Sequence, residues 1–203
     1  MNTAQRGIKR TLDLLVGGVA VAVTAPVVAV CAIAIRLDSK GPILYRQPRA
    51  GLNSHEFEIV KLRTMIVGAE HSGAGMAVDH NDSRITRVGG FLRRWSLDEL
   101  PNLVNVVKGE MSLVGPRPTL LEQVAEYDER QRGRLSVRPG VSGWAQVQGR
   151  ASLPWSERIE LDLWYIDRQS LSLDLKILIA TVRMVFTGEG LYRGERGGWD
   201  KSA

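Results

Sequence analysis

LLVGGVAVAVTAPVVAVCAIAI, residues 14–35, is a run of 22 positions without a charged side chain. As a helix it is long enough to reach across about 30 Å of hydrocarbon. A cleavable signal peptide is the first alternative, but its apolar core normally covers about 7–15 residues. The run continues well past that. Val30 also suits a lipoprotein cleavage site poorly, because a small residue is expected ahead of the cysteine.

The flanks of the run set its topology. Arg6, Lys9 and Arg10 precede it, and Arg36, Lys40, Arg46 and Arg49 follow it. Positive charge marks the cytoplasmic side of a membrane segment, so a straight span would break that rule at one end. Pro26 removes a backbone hydrogen bond near the middle and clashes with the carbonyl four residues earlier, and Thr24 offers a hydroxyl to a freed carbonyl. The sequence therefore predicts a re-entrant helix-break-helix over residues 1–37, turning at Ala25-Pro26 and returning to the same face. One kinked span is the alternative.

Outside this segment the composition is that of a folded domain. Across 203 residues, 44% are hydrophobic and 24% charged, which excludes wholesale disorder. Lys plus Arg number 27 against 22 Asp plus Glu, a net charge of +5 that favours anionic partners. A single cysteine, Cys31, excludes a disulfide framework and a cysteine-based zinc site. His55, His71 and His80 lack helical pair spacing, which argues against a histidine-rich metal site.

Residues 38–190 read as one soluble or membrane-surface domain, and 191–203 as a flexible tail. Ile43 to Arg46 and Phe57 to Leu62 read as strands about a turn at Gly51-Leu52-Asn53. Gly68 to Asp82 reads as a mobile loop. Leu97 to Lys108 has the apolar spacing of one helix, stopped by Gly109. Residues 119 to 134, heavily charged, read as an exposed helix, and Trp155 to Ile166 and Leu173 to Phe186 as two more. The last is apolar enough to pack in a core or to lie on a bilayer, and most of the five tryptophans are expected in the core. The fold class is α+β, mostly helical with short strands.

Several signatures of nucleotide and hydrolase chemistry are absent, among them G-x-G-x-x-G, G-x-x-x-x-G-K-[ST], D-x-D and G-x-S-x-G. What remains is an acidic pair among cations: Asp98-Glu99 follows Arg93-Arg94 in LRRWSLDELP, residues 92–101. Ser96 and Glu99 have capping-box spacing, which would make Glu99 a helix-start device. Against that, Pro101 falls inside the helix so started, and a polar helix start beside cations suits anion handling. The second constellation is Gly115-Pro116-Arg117-Pro118, where the prolines hold Arg117 on a stiff extended segment fit for bidentate phosphate binding. A surface turn is its plain alternative. Lys61, Arg63, Gln47 and Arg49 extend the polar set, with a solvated charged face as theirs.

Taken in order, these pieces resemble the monotopic polyprenyl-phosphate phosphoglycosyl transferases, the bacterial sugar transferase family. The resemblance runs from about Lys9 to Gly188. It rests on KRTLD (residues 9–13), GPILYRQ (41–47), KLRTM (61–65), SLDELPNL (96–103), Gly109 to Pro118, and RPGVSGWAQV (138–147). It implies transfer of a sugar 1-phosphate from a nucleoside diphosphate sugar, expected to be a UDP-sugar, to a polyprenyl phosphate, with release of the nucleoside monophosphate. The reaction would initiate polysaccharide or glycoconjugate synthesis at the cytoplasmic face of the bacterial inner membrane. In the resemblance Asp98 matches the nucleophile that forms a phospho-aspartate, and Glu99 the residue that helps hold Mg²⁺. Arg93, Arg117 and Lys61 match basic residues around the phosphates, and Asp162 and Tyr165 match a Leu-Asp-x-x-Tyr segment placed with the substrate-binding set.

Two departures stand out. Ala25-Pro26 replaces a frequent Ser-Pro at the helix break, and Trp95 replaces a smaller polar residue at the rim of the site. Larger members add an N-terminal bundle of membrane helices, for which this chain is too short. The expected partners are the nucleotide sugar, the polyprenyl phosphate and membrane lipids. No nucleic acid is expected, and a homo-oligomer is left open. A transferase that moves the sugar without its phosphate, and a non-catalytic basic module binding acidic lipid or nucleic acid, are the competing readings.

Topology is testable directly. In oriented vesicles, single cysteines placed at Asn2 and Asn53 in a Cys31→Ser background should both react with an impermeant thiol reagent from the cytoplasmic side. Reaction from opposite faces would establish a span.

Overall fold

Asn2 opens the first helix through a reciprocal cap: its side chain accepts from Gln5 N at 2.9 Å, and Gln5 Oε1 accepts from Asn2 N at 3.1 Å. Helix α1 then runs Thr3–Asp38. The computed structural model describes residues 1–69, 78, 82–188 and 190–192. Helical geometry continues through Ala25 and Pro26, so the two-helix break expected there is corrected to one continuous helix containing a proline. Pro26 forfeits only its own N–H, which would have met the Ala22 carbonyl, and the flanking turns remain bonded. Thr24 Oγ1 donates to Ala20 O at 2.7 Å rather than to that freed carbonyl, a back-bond that favours bending.

Polar contacts fasten both ends of α1 to the rest of the chain. Near its start, Lys9 Nζ meets Asp174 Oδ2 at 2.6 Å and Val114 O at 3.0 Å, and Asp13 Oδ1 accepts from Leu113 N at 3.0 Å. Arg10 donates to the carbonyls of Val106 and Val107. Near its end, Cys31 and Ile35 pack on Leu62 and Leu92, and Asp38 Oδ2 accepts from Val88 N at 3.0 Å. Between Gly17 and Cys31 no residue is buried, and Val19, Val23 and Val30 are 64%, 69% and 67% exposed. A helix this apolar and this exposed is explained by lipid rather than water.

The strands form as read. β1 (Leu44–Ala50) pairs antiparallel with β2 (Glu56–Leu62), with Leu44 opposite Leu62 and Ala50 opposite Glu56. Helix α2 (Arg87–Arg94) starts at Thr86, whose hydroxyl accepts from Gly89 N. The single helix predicted over 97–108 divides: Leu97–Asn102 is a 3₁₀ turn, and α3 covers Leu103–Lys108. Pro101 has no N–H to donate, so its neighbourhood takes the tighter winding. Gly109, at φ 90°, ends α3 as expected.

Strand β3 (Ser112–Val114) lies parallel to β4 (Gly140–Ser142). Between them the exposed helix expected over 119–134 is replaced by two short helices, α4 (Leu121–Ala125) and α5 (Glu129–Arg132). Val124, Tyr127 and Leu135 of this stretch are buried with Ala50 and Ile159. Their apolar spacing was masked by the charges between them. Helices α6 (Trp144–Gln148), α7 (Trp155–Asp167) and α8 (Leu171–Thr187) complete the order.

On α8, Ile177 and Met184 are buried while Leu175, Ile179, Val182 and Phe186 are exposed. Trp144 and Trp155 pack against core clusters, and Trp164 stacks on Trp144 at 5.1 Å. None of the four described tryptophans is fully buried. The expected mobile loop falls largely outside the described residues, as do nearly all of the tail and Trp199.

Two adjacent glycines of α2 give opposite expectations. A Cβ at Gly89 would stand 1.9 Å from Thr64 O, whereas one at Gly90 would have Ile85 Cγ2 as its nearest neighbour at 3.9 Å. Gly89→Ala should lower thermal stability by about 2 kcal/mol or more. Gly90→Ala should be neutral or stabilise by about 0.5–1 kcal/mol through helix propensity, both read as shifts in Tm of the purified protein.

Candidate active site

The acidic pair is built by the turn that Pro101 imposes. Ser96 adopts φ 53° and makes no side-chain cap, so the capping-box reading of Ser96 and Glu99 fails. Asn102 Oδ1 accepts from Val60 N at 3.2 Å and ties the 3₁₀ turn to β2. Glu99 faces Lys61 of β2 and Arg117 of the loop after β3. Its Oε1 receives Lys61 Nζ at 2.7 Å and Arg117 Nη2 at 2.8 Å. Asp98, 8% exposed, accepts no hydrogen bond among the described residues.

These surroundings drive the two carboxyls apart. Burial alone would push Glu99 up, but the Arg117 and Lys61 charges and their hydrogen bonds outweigh it and hold its carboxyl well below the usual range. Burial and then the Glu99 charge push Asp98 up, opposed by Lys61, Arg93 and Arg117. Burial also lowers Lys61, against the pull of Glu99. Glu99 is thus a fixed anion neutralised by its neighbours, while Asp98 is a carboxyl tied to nothing.

Arg117 is presented by two backbones in contact. Gly115 N donates to Ser142 O at 2.9 Å, and Gly140 N donates to Pro116 O at 2.8 Å. A Cβ at Gly115 would stand 2.4 Å from Arg138 O, and one at Gly140 2.1 Å from Gly115 N. Only glycine fits at these two positions. A cleft lined by Arg49, Lys61, Glu99, Arg117 and Gly140 opens here, and Asp98 is not among its lining residues.

Other expected site residues divide. Arg93, at the end of α2, acts electrostatically on Asp98. Gln47 accepts from Arg49, and burial followed by the Arg117 charge lowers Arg49 to about 10. Arg63 does not join the pair: its guanidinium donates to the carbonyls of Ser39 and Lys40 and closes the chain leaving α1. Asp162 and Tyr165 are 1% and 0% exposed, so neither can meet a substrate directly. Asp162 pairs with Arg134, and the Tyr165 hydroxyl bonds Asp174 Oδ1 at 2.6 Å.

Arg150 was not anticipated. At φ 51°, it sends Nη2 to Ser96 Oγ at 3.2 Å and acts on Glu99, Asp98, Arg117 and Arg93. Its place after Gly149 was the only local signal, since the turn there brings 149–152 back towards Ser96. Arg49 Nε, Arg93 Nε and Arg150 Nη1 are buried without a partner. Lys61, Arg49, Arg93, Arg117 and Arg150 thus face two carboxylates and leave an excess of positive charge. Such an arrangement can neutralise a diphosphate while a free carboxylate attacks it.

The chain is similar in sequence to known proteins. The chain is 40% identical over 184 residues to the uncharacterized sugar transferase EpsL of Bacillus subtilis, covering 91% of this chain and 90% of that one. It is 42% identical to the UDP-glucose:undecaprenyl-phosphate glucose-1-phosphate transferase of Caulobacter vibrioides, covering 91% of this chain and 72% of that protein. The Escherichia coli protein of the same name is 37% identical over 95% of this chain, which spans 43% of its length. The family described as bacterial sugar transferase matches residues 4–188, and on that extent the chain belongs to the bacterial sugar transferase family.

Proposed function

We propose that this protein transfers a sugar 1-phosphate from a nucleoside diphosphate sugar, a UDP-sugar in keeping with its relatives, to undecaprenyl phosphate or a similar polyprenyl phosphate. The observation that carries this reading is Asp98, buried and without a hydrogen bond among the described residues, beside a Glu99 held by Lys61 and Arg117. In the first step an Asp98 oxygen bonds to the sugar-bearing phosphorus, and the bridging P–O bond breaks to release nucleoside monophosphate. In the second, a phosphate oxygen of the lipid bonds to that phosphorus, and the acyl phosphate bond to Asp98 breaks. Arg117, Arg93, Arg150 and Lys61 neutralise the phosphoryl oxygens, without which an anionic nucleophile and an anionic substrate repel.

The donor set fits Mg²⁺. Among the described residues no three His, Cys, Asp or Glu side chains gather into an all-protein site, and Mg²⁺ commonly takes one or two carboxylates with substrate phosphates and water. Glu99, through the oxygen left free by Lys61 and Arg117, would hold the ion with Asp98 alongside. When bound, it would withdraw charge from the diphosphate.

The membrane reading follows from α1. Its exposed apolar middle lies between two polar anchorages on the same domain, which supports entry and exit at one membrane face with α1 bent, not broken, near Pro26, and the basic flanks favour the cytoplasmic face of the inner membrane for residues 38–190. The exposed face of α8 adds a surface suited to the lipid interface.

Incubation with a labelled nucleotide sugar and no lipid should yield a hydroxylamine-sensitive adduct on Asp98, with release of monophosphate. Asp98→Asn should lose the adduct and bring turnover below about a thousandth of normal. An adduct on another residue reassigns the nucleophile, and release of diphosphate indicates transfer of the sugar alone.

Acid pH should suppress formation of the adduct by protonating the free Asp98 carboxylate before it attacks. Because its carboxyl is raised, this limb lies above the ordinary value near 3.9. Lys61 opposes that rise, so Lys61→Met should move the limb to higher pH. A limb that stays in place argues against Asp98 as the titrating group.

A further inference from the structure

Arg134 and Asp162 form the most completely enclosed ion pair among the described residues. The Arg134 side chain is 2% exposed and that of Asp162 is 1% exposed. Nε and Nη2 both lie 2.7 Å from Asp162 Oδ2. Nη1 donates to Thr119 Oγ1 and to the Tyr127 hydroxyl, each at 2.6 Å. The guanidinium lies 4.9 Å from the Trp155 ring centroid. One contact remains: Nη2 also donates to the backbone carbonyl of Arg117 at 3.1 Å.

A buried ion pair is a weak source of stability, since desolvation offsets its attraction. What a fully engaged guanidinium supplies is direction. Pro118 restricts the ψ of Arg117 to the extended region but leaves the peptide plane that carries the Arg117 carbonyl a range within it. Arg134 fixes that plane by hydrogen bond, and Thr119 Oγ1 reaches the same carbonyl at 3.4 Å. Rotation of that plane would swing the long Arg117 side chain away from Glu99, and a misplacement of about 1 Å can cost about 100-fold in rate.

We infer that Arg134 and Asp162 are positioning residues: they hold the Arg117 backbone so that its guanidinium stands over Glu99, and they act on the transfer without touching substrate. The inference rests on the reading of Arg117 as a phosphate-neutralising group. It gives a role to Asp162, which the geometry removes from the substrate.

A double-mutant cycle on adduct formation tests it, using the full-length protein, a labelled UDP-sugar and a Tm for every variant. Arg134→Lys keeps the charge and loses the fork; it should slow adduct formation about 10- to 100-fold. In an Arg117→Gln background the same change should cost less than about threefold, because the group it positions is gone. Equal losses in the two backgrounds, or normal rates for Arg134→Lys beside a slow Arg117→Gln, would overturn the inference alone. Normal rates for Arg117→Gln would overturn the reading of Arg117 and the inference with it. Should Arg134→Lys not fold, Thr119→Val decides the question: it leaves the ion pair intact, and its rate loss should likewise vanish in the Arg117→Gln background, while a loss that persists there rejects the inference.

Discussion

Glu99 Oε1 receives two cations from two different parts of the chain, Lys61 of β2 and Arg117 of the loop after β3. The 3₁₀ turn carrying Glu99, the hairpin and the paired β3–β4 backbones therefore meet at a single oxygen. The Lys61 contact is the more consequential for stability: its side chain and that of Glu99 are 17% and 13% exposed, and breaking a pair so buried costs ~3–5 kcal/mol. The Arg117 side chain is 41% exposed, so its pairing is screened and contributes less to folding. That same exposure leaves Arg117 available to a substrate. One arm of the junction is mainly structural and the other is open for chemistry.

Around this junction the molecule separates charge by environment. Asp98 and Glu99 are adjacent in sequence, yet one accepts no hydrogen bond among the described residues while the other is held by two cations. Residues next to each other on a 3₁₀ turn point roughly 120° apart, and the strained Ser96 at φ 53° starts that turn in an orientation a regular helix would not give. The result is a pair in which burial raises one carboxyl while neighbouring cations lower the other, the pattern expected where two acids have different tasks.

The membrane helix belongs to the same mechanical unit. Val114, the residue before the Gly115-Pro116-Arg117-Pro118 loop, offers its carbonyl to Lys9 of α1 at 3.0 Å and lies 3.3 Å from the Tyr165 hydroxyl. Asp162 and Tyr165, three apart on one face of α7, thus serve the two ends of that loop, the first through Arg134 and the second near Val114. The two α7 residues expected to bind substrate are instead buried and linked to that loop.

The apolar run, its basic flanks, the hairpin, the Gly109 helix end and the two motifs about Asp98 and Arg117 were legible in the sequence, because each depends on local rules: the length of an uncharged stretch, alternation, the φ of proline and glycine. The family resemblance, not local rules, singled out Arg93 and Lys61. The tertiary structure decided the rest. Whether Pro26 breaks α1 depended on the bonds of the turns around it, and Arg63 went to the end of α1 rather than to the dyad. Residues 119–134 were read as a solvated charged helix because nothing nearby shows that Arg134 will be buried; its anion, Asp162, lies 28 residues away. Arg150 reached the dyad only because a turn at Gly149 met Ser96. A charge's neighbours in sequence determine where it can point, but its partner, and so whether it is exposed, structural or functional, is set by elements that meet only on folding.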